Sequence, residues 1–363
     1  KERESVINPI NDKIKRLREE SVGKTVKLSS ERAELITQFY KEKDLKEVSK
    51  PVEKAMAFKY LMENISLPIE DGQLIVGLRG TGVKEVSTFP EVCCHTEEDL
   101  EVLDTREKNP YKVDEEFKKV YNDEITPFWK NQTMREKIFD SVSEEWRDAY
   151  EAGVFTEFME QRVPGHTAGG ERIFEKGLLE IIDEIDGKLD EIEAKEKKEE
   201  LKGMKIAANA MITYAERYAD KLERIAEKED EGDRKRELER MAEICRHVPA
   251  NRPRNFWEAL QHYWFVHVGV ISESNPWDSF NPGRLDQHLY PFYKNDMGSG
   301  DFNRERAKEL LEAFWLKINA HPAPPKVGVT AEESNTYNDF TKINIGGMKE
   351  DGSDGVNDVS YLL

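Results

Sequence analysis

Cysteine is scarce in this sequence, which holds three in 363 residues. Cys93 and Cys94 are adjacent and Cys245 stands alone, so they cannot build a disulfide framework, and no second Cys/His pair has zinc-site spacing. No apolar run approaches the roughly 20 residues that a membrane span needs, and the N-terminus has no signal-peptide core. Phosphate loops, nucleophile elbows and HExxH motifs are also absent. The sequence predicts buried structural thiols, no metal site and no membrane segment.

Charge, by contrast, is abundant. Charged side chains make up 36% of the chain, and acidic residues dominate, which gives a net charge of −19 and a pI of about 5.0. Such a surface repels phosphate backbones and anionic lipid heads, so nucleic-acid and membrane partners are disfavoured. These features together predict a cytoplasmic protein. The excess of Glu and Lys is typical of proteins that resist heat through surface ion networks, which predicts a thermophilic source.

Helical periodicity covers most of the chain. The predicted helices span about 29–43, 51–65, 121–160, 174–247, 255–270 and 303–320. Residues 174–247 carry apolar stripes, one of them from Met204 to Ile225, beside charged faces, which predicts long antiparallel helices on the exterior. Residues 255–270 are apolar nearly all round, which predicts a buried helix. The predicted strands span 74–77, 326–330 and 342–346.

A histidine, His166, lies on a Pro164-Gly165 loop that follows an aromatic-rich helix end. Its imidazole titrates near neutrality and can give or take a proton, which makes it a candidate acid–base residue. On this local pattern alone, an ordinary surface or capping histidine is the simpler interpretation.

The loop that directly follows the predicted buried helix carries Asp278, Arg284 and Asp286. Loops held by rigid cores often carry ligand-binding groups. For Arg284 and Asp286 the preferred interpretation is an ion pair that pins the loop. Asp278 is flanked by Trp277 and Phe280, where a carboxylate is costly without a partner such as a substrate amine or hydroxyl. Asp278 is therefore the better candidate for ligand binding.

A third constellation combines the hydroxyls and amides of 334–340 with the glycine pair Gly346-Gly347. Glycines let a backbone approach a ligand closely, so this region is suited to lining a binding site. A Ser/Asn-rich turn explains the same pattern equally well.

Several motifs occur in a specific order along nearly the whole chain. They are Asp71-Gly-Gln-Leu-Ile-Val-Gly77, Pro164-Gly-His166, Pro249-Ala-Asn-Arg-Pro-Arg-Asn-Phe-Trp-Glu-Ala-Leu-Gln-His-Tyr-Trp-Phe265, Pro282-Gly-Arg-Leu-Asp-Gln-His-Leu-Tyr-Pro-Phe-Tyr293, and Asn344-Ile-Gly-Gly347 with Asp354-Gly-Val-Asn357. In this order the chain resembles the glycyl radical enzymes, the family founded on pyruvate formate-lyase. The dehydratase branch is the most similar, and within it the enzymes that act on hydroxyproline; those that act on glycerol are more distant.

The resemblance implies an α/β fold, a ten-stranded barrel of two half-barrels wrapped by helices. Residues 1–363 would be the N-terminal part of a single pyruvate formate-lyase-type domain, and would supply its helical layer and first half-barrel. The family's Gly-Cys-Val-Glu loop and Arg-Val-x-Gly-Tyr radical motif do not occur in this sequence, which stops within the first turns of a predicted helix. We therefore expect that the C-terminal glycyl radical region is absent from this chain and that the C-terminus is a cut.

The resemblance also implies a reaction. In the family a glycyl radical passes its spin to a cysteine, the thiyl radical takes a hydrogen atom from substrate carbon, and in the dehydratases a neighbouring hydroxyl leaves as water. The expected function is a radical hydro-lyase acting on a small hydroxylated substrate, hydroxyproline-like or a diol or polyol. No cofactor is expected on this chain itself. The expected partners are a radical S-adenosylmethionine activating enzyme, the substrate, and further copies in a homo-oligomer.

Five residues take expected roles from the resemblance. His166 matches the family histidine that faces the substrate hydroxyl and is the expected catalytic residue. Asp278 matches a substrate-contacting aspartate of the hydroxyproline branch, and Phe158, Ser334 and Phe340 match residues that line its pocket. His166, Asp278 and Ser334 are therefore predicted to converge on one internal cavity.

Two other functions fit part of the sequence. A carbon–carbon lyase of the formate C-acetyltransferase type has the same fold, but it uses two adjacent catalytic cysteines on a loop that this sequence lacks, and Cys93-Cys94 lies in the wrong region for that pair. An acidic helical scaffold would explain 174–247 but not the buried aromatic helix that leads to Pro282-Gly-Arg284.

Overall fold

Helices make up most of the structure, a computed structural model that describes residues 11–154, 170–273, 281–300, 302–328, 331 and 341–363. The helices are α1 (Asp12–Gly23), α2 (Glu31–Glu42), α3 (Lys50–Asn64), α4 (Glu97–Thr105), α5 (Glu115–Val120), α6 (Thr126–Trp129), α7 (Met134–Ser141), α8 (Glu144–Glu151), α9 (Arg172–Glu175), α10 (Leu178–Glu191), α11 (Lys195–Ala226), α12 (Gly232–His247), α13 (Phe256–Glu273), α14 (Leu285–Ser299), α15 (Arg304–Asn319) and α16 (Asp358–Leu362), with a π-helical turn at Tyr121–Ile125. The strands are β1 (Lys27–Ser29), β2 (Glu85–Ser87), β3 (Gly283–Arg284) and β4 (Ile343–Asn344). Among these described helices, none is long and apolar enough to cross a membrane.

Helix α13 lies at the centre of the core, as its apolar sequence predicted. Phe256, Leu260, Trp264 and Phe265 have no exposed surface. Helices α9, α11, α12, α14 and α15 all contact it. Because α13 is covered on every side, the removal of apolar surface from water stabilises it all round rather than along one stripe.

Long helices across 174–247 are confirmed, and α10, α11 and α12 each keep a charged face exposed. Helix α11 contacts α3, α10 and α12, and its inner face buries Tyr214, Tyr218 and Leu222. Met204, the first member of the predicted stripe, is 54% exposed. The stripe therefore identified the buried face in the second half of α11 but not at its beginning.

Residues 74–77 are deeply buried but form no strand, which corrects the prediction. Their backbone is hydrogen-bonded by side chains of α13 instead of by a neighbouring strand. Gln261 accepts from the Val76 N–H at 2.9 Å and donates to the Val76 carbonyl at 2.8 Å. The other α13 donors are the indole of Trp257 to the Leu74 carbonyl (2.9 Å) and the indole of Trp264 to the Gly77 carbonyl (3.0 Å). Since buried backbone groups need partners, these bonds replace a β ladder.

Two further side chains bind the end of this run. The Tyr214 hydroxyl donates to the Leu78 carbonyl at 2.8 Å and accepts from the Leu78 N–H at 3.2 Å. Lys317 Nζ donates to the Gly77 carbonyl at 3.3 Å, and burial lowers the pKa of this lysine to about 7. Gly77 has φ of +115°, and a Cβ there would lie 3.2 Å from the Trp264 ring. The close approach of run and helix therefore requires glycine at this position.

The strands form two short parallel pairs. β1 pairs with β2, and β3 pairs with β4 in the register Gly283↔Ile343. β4 confirms the strand predicted at 342–346. Residues 326–328 of the predicted strand 326–330 form none, and the Gly328 N–H donates to the Asp99 carboxylate instead of to a neighbouring strand. Residues 329–330 lie outside the described residues.

Replacing Gln261 by methionine should destabilise the fold by about 2–6 kcal/mol, since two buried backbone groups of Val76 lose their partner at about 1–3 kcal/mol each. Methionine has a similar length, so the cavity left behind is small. Chemical denaturation measures the change in the free energy of unfolding. The control is Gln38→Met on the exposed face of α2, which should change it by less than about 0.5 kcal/mol. Equal effects of the two substitutions would contradict the role of Gln261.

Lys317 should make stability depend on pH. Its folded pKa of about 7 lies below the ordinary value of 10.5, so over this range the unfolded chain binds the proton more tightly. Stability should therefore rise with pH between about 7 and 10 and be insensitive to this group below that range. Lys317→Met lacks the titration, so the wild type should gain free energy of unfolding relative to this variant as pH rises. A difference that stays constant from pH 7 to pH 10 would refute the expectation.

Candidate functional site

The residues assigned to the substrate lie in segments outside the described residues. Phe158 and His166 belong to 155–169, Asp278 belongs to 274–280, and Ser334 and Phe340 belong to 332–340. Their convergence on one cavity therefore stays a prediction. The described residues beside these segments show where the chain enters and leaves them.

The chain leaves two of these segments at adjacent points. Asn281 directly follows the segment with Asp278, and Lys342 lies two residues after the segment with Ser334. Asn281 Oδ1 accepts a hydrogen bond from the Lys342 N–H at 2.6 Å, and the parallel pair β3–β4 continues the contact. The exits of the two segments are thus fixed side by side.

The third segment ends next to α13 and α14, and α14 directly follows β3 in the chain. After residue 169 the chain enters α9, where the Phe174 ring stacks on the His288 imidazole of α14, with ring centroids 5.4 Å apart. Phe174 also lies 6.3 Å from the Tyr263 ring of α13. Burial lowers the pKa of His288, against the opposing effect of the Glu171 and Asp286 carboxylates. The stacked imidazole is therefore neutral near pH 7, and no charge is buried against the phenyl ring.

Arg284 and Asp286 hold the loop after α13, but not as the predicted ion pair. Asp286 is fully buried in the first turn of α14, where its Oδ2 accepts from the Gly346 N–H at 2.6 Å and from the Ser360 hydroxyl. Arg284 is exposed on β3, and its guanidinium donates to the Met348 carbonyl at 2.6 Å. The chain changes from strand to helix between them, so the two side chains face opposite sides. In the part of the chain that the structure describes, Arg284 and Asp286 thus bind different partners and form no ion pair with each other.

The segment 322–328, with Ala331, leads toward Ser334, and five side chains bind its backbone. The bonds are Arg79 Nη2 to the Pro322 carbonyl (3.0 Å), the Tyr111 hydroxyl to the Ala323 carbonyl (2.7 Å), His95 Nε2 to the Pro325 carbonyl (3.3 Å), the Gly328 N–H to Asp99 Oδ1 (2.7 Å) and Arg106 Nη1 to the Ala331 carbonyl (2.5 Å). These side chains come from scattered positions between β1 and α5. They fix the path by which the chain approaches the segment with Ser334.

Sequence reasoning missed this group of five holding residues. One of them, His95, directly follows Cys93-Cys94, for which the sequence predicted buried structural thiols and no metal site. Burial raises the pKa of the Cys94 thiol to about 12, so no reactive thiolate forms near neutrality. Cys93 and Cys245 are buried free thiols, as predicted. Burial also lowers the pKa of His95, which keeps the ring neutral where it meets Pro325. Within the described ranges, no three His, Cys, Asp or Glu side chains are arranged to hold a metal ion.

The family model described as Pyruvate formate lyase-like matches residues 8–363. The chain therefore belongs to the pyruvate formate lyase-like family, and the resemblance that the ordered motifs suggested is confirmed.

Among curated proteins the chain is similar to the trans-4-hydroxy-L-proline dehydratase of Clostridioides difficile, with 48% identity over 358 residues that cover 97% of this chain and 45% of that enzyme. The solved hydroxyproline dehydratase of the same organism, with trans-4-hydroxy-L-proline bound, matches at TM-score 0.93 and 48% identity over 98% of this chain and 46% of that one. The glycerol-bound, B12-independent glycerol dehydratase of Clostridium butyricum matches at TM-score 0.88 and 29% identity, over 97% and 45% of the two chains. The chain thus spans about half the length of the relatives it matches.

Asp286→Ala should destabilise the protein by about 3 kcal/mol, because the buried Gly346 N–H and the Ser360 hydroxyl lose a charged acceptor. Arg284→Ala should cost less than about 1 kcal/mol, because the exposed guanidinium is solvated in both states. Denaturant titrations of the two variants and the wild type measure the difference. An equal loss in both variants would instead favour the ion pair.

Proposed function

We propose that this chain is the N-terminal part of a glycyl radical dehydratase, a lyase that removes water from a small hydroxylated substrate, with hydroxyproline as the first candidate. The observation that carries the proposal is the 48% identity to trans-4-hydroxy-L-proline dehydratase over 97% of the chain. The TM-score of 0.93 to a substrate-bound hydroxyproline dehydratase supports it. The glycerol dehydratase is 29% identical, which favours hydroxyproline over a diol or polyol.

The proposed architecture is a ten-stranded barrel of two half-barrels wrapped by helices. Residues 1–363 supply the helical layer and first half-barrel of a single pyruvate formate-lyase-type domain. The parallel pairing of β3 with β4 across α14 and α15 supports strands that alternate with helices. The proposed partners are a radical S-adenosylmethionine activating enzyme, which installs the glycyl radical on the remainder of the domain, and further copies of the same chain.

The radical supplies hydrogen abstraction from substrate carbon, and the residues of this chain bind the substrate and manage a proton. His166 gives a proton to the hydroxyl that leaves the neighbouring carbon, so that water rather than hydroxide departs. The Asp278 carboxylate holds the ring ammonium of hydroxyproline. Phe158 and Phe340 form apolar walls that exclude water, and the Ser334 hydroxyl offers a hydrogen bond to the substrate.

The described flanks support a shared site for these residues. The hydrogen bond between Asn281 and Lys342 joins the exits of the segments with Asp278 and Ser334. Phe174, which follows the segment with His166, packs against α13 and α14. A pocket with apolar walls and a few convergent polar groups is the usual form of a small-ligand site.

A carbon–carbon lyase of the formate C-acetyltransferase type is the alternative within the family, and two adjacent cysteines on the catalytic loop of the full-length enzyme would favour it. An acidic scaffold is disfavoured, because a helix as buried as α13 serves a core rather than a binding face. A cytoplasmic location and a thermophilic source stay proposals. The acidic charge supports the first, and surface ion pairs such as Arg246–Glu223 support the second.

In the full-length enzyme, activated under strict anoxia, His166→Gln should lower kcat by about 10²–10⁴-fold and change KM little, because a general acid acts mainly in the transition state. Asp278→Asn should instead raise KM strongly for hydroxyproline and much less for glycerol, since it removes the charge partner of an amine bound in the ground state. Steady-state kinetics with both substrates measures the two effects.

The control for these kinetics is Asp233→Asn on the exposed surface of α12, which should leave both constants unchanged. Unchanged hydroxyproline kinetics in Asp278→Asn would remove the amine-binding role and the preference for hydroxyproline. If the activated wild type eliminates water from neither substrate, the dehydratase assignment itself fails.

A further inference from the structure

Two buried arginines hold the C-terminal end of α13. The last four carbonyls of a helix have no intrahelical partner, and cations are stabilised there. The Ser272 carbonyl accepts from Arg32 Nε at 3.3 Å and Nη2 at 3.1 Å, and the Ile271 carbonyl accepts from Arg79 Nη1 at 3.3 Å. Arg32 is 2% and Arg79 3% exposed. The position of the last turn of α13 therefore depends on both side chains.

Arg79 also binds a second part of the chain. Its Nη2 donates to the Pro322 carbonyl at 3.0 Å, so one guanidinium spans the end of α13 and the start of 322–328. Arg32 uses its other N–H groups differently, on the Thr88 carbonyl at 3.2 Å and on both carboxylate oxygens of Glu91 at 3.1 and 2.5 Å. The two arginines thus bind adjacent carbonyls of α13, but within the described residues Arg79 alone of the pair reaches 322–328.

Arg79 is itself firmly placed. Its carbonyl accepts from the Ser87 hydroxyl of β2 at 2.7 Å. The guanidinium carbons of Arg32 and Arg79 lie 3.7 and 6.0 Å from the centre of the Phe89 ring, which packs against both cations. A buried side chain that is fixed at its backbone and bound at its tip can set the separation of the two groups it joins.

We propose that Arg79 is a positioning residue that fixes the C-terminal end of α13 against residues 322–328, the two described stretches from which the chain leads to Asp278 and to Ser334. The inference rests on the proposed function, which assigns those two residues to the substrate. Ile271 and Pro322 precede those two residues in the chain, so a shift of the guanidinium moves the described backbone that leads to each of them. The position needs arginine because its planar fork presents N–H donors at fixed separations, whereas a lysine ammonium is a point donor.

Kinetics of the activated full-length enzyme test the effect on the substrate. Arg79→Lys keeps the charge but cannot hold both carbonyls in the same geometry, and it should raise KM for hydroxyproline about tenfold, the effect of one lost charged hydrogen bond. A purely structural defect would lower the amount of active enzyme, and so kcat, with KM unchanged. In an Asp278→Asn background the same substitution should raise KM by less than about twofold, because the placement of the missing carboxylate no longer matters.

Hydrogen–deuterium exchange of the full-length protein without substrate tests the coupling itself. In Arg79→Lys, peptides covering 264–273 and 319–328 should both exchange faster than in the wild type. The matched control is Arg32→Lys, which should speed exchange at 264–273 but not at 319–328, because Arg32 binds Ser272 and no residue of the second stretch.

The two measurements separate the possible failures. Faster exchange at only one stretch in Arg79→Lys, or an unchanged KM while turnover persists, would overturn the role of Arg79. If the wild type does not turn over hydroxyproline but peptides from both stretches exchange faster in Arg79→Lys, the proposed function fails. The coupling of the two stretches by Arg79 then stands.

Discussion

The hydrogen bonds between the buried run at 74–77 and the side chains of α13 are the constraint on which much of this structure depends. The run brings backbone N–H and C=O groups into the core, and each needs a partner there. Gln261 and the two indoles supply those partners, so they fix both the rotation of α13 about its axis and its position along the run. The helices that contact α13 take their places from that arrangement.

The sequence predicted α11 and α13 because a helix is built from local relations, but it missed α4 and α14 and did not show the breaks within 121–154. The apolar surface of α13 and the buried face of Tyr214, Tyr218 and Leu222 on α11 are visible as periodicity over a few residues. The runs at 74–77 and 326–328 look like strands in composition but form none. A strand is defined by its distant partner, and no local pattern reveals whether that partner is another backbone or the side chains of a helix.

The same distinction between local patterns and distant contacts applies to the candidate site. The family resemblance implied roles for His166, Asp278 and Ser334, and both these roles and the arrangement of the three residues in space stay predictions. The residues that hold the surrounding chain were invisible, because the contact of Arg79 with Pro322 joins positions 243 residues apart. Arg284 and Asp286 show the opposite error: two opposite charges close in sequence suggested a pair, and the beginning of α14 turns one inward while the other stays outside.

The way in which residues 322–328 and Ala331 are held affects how such a protein can diverge in evolution. In a β ladder the register changes only by whole residues, and a slip of one turns every side chain to the other face. Here Tyr111, Asp99 and Arg106 each hold a different point, so a single mutation displaces one point by a fraction of a residue and leaves the rest in place. Genetic drift at such remote positions can reshape the edge of a binding site in small steps. New specificities are then open to natural selection without a loss of the fold on the way.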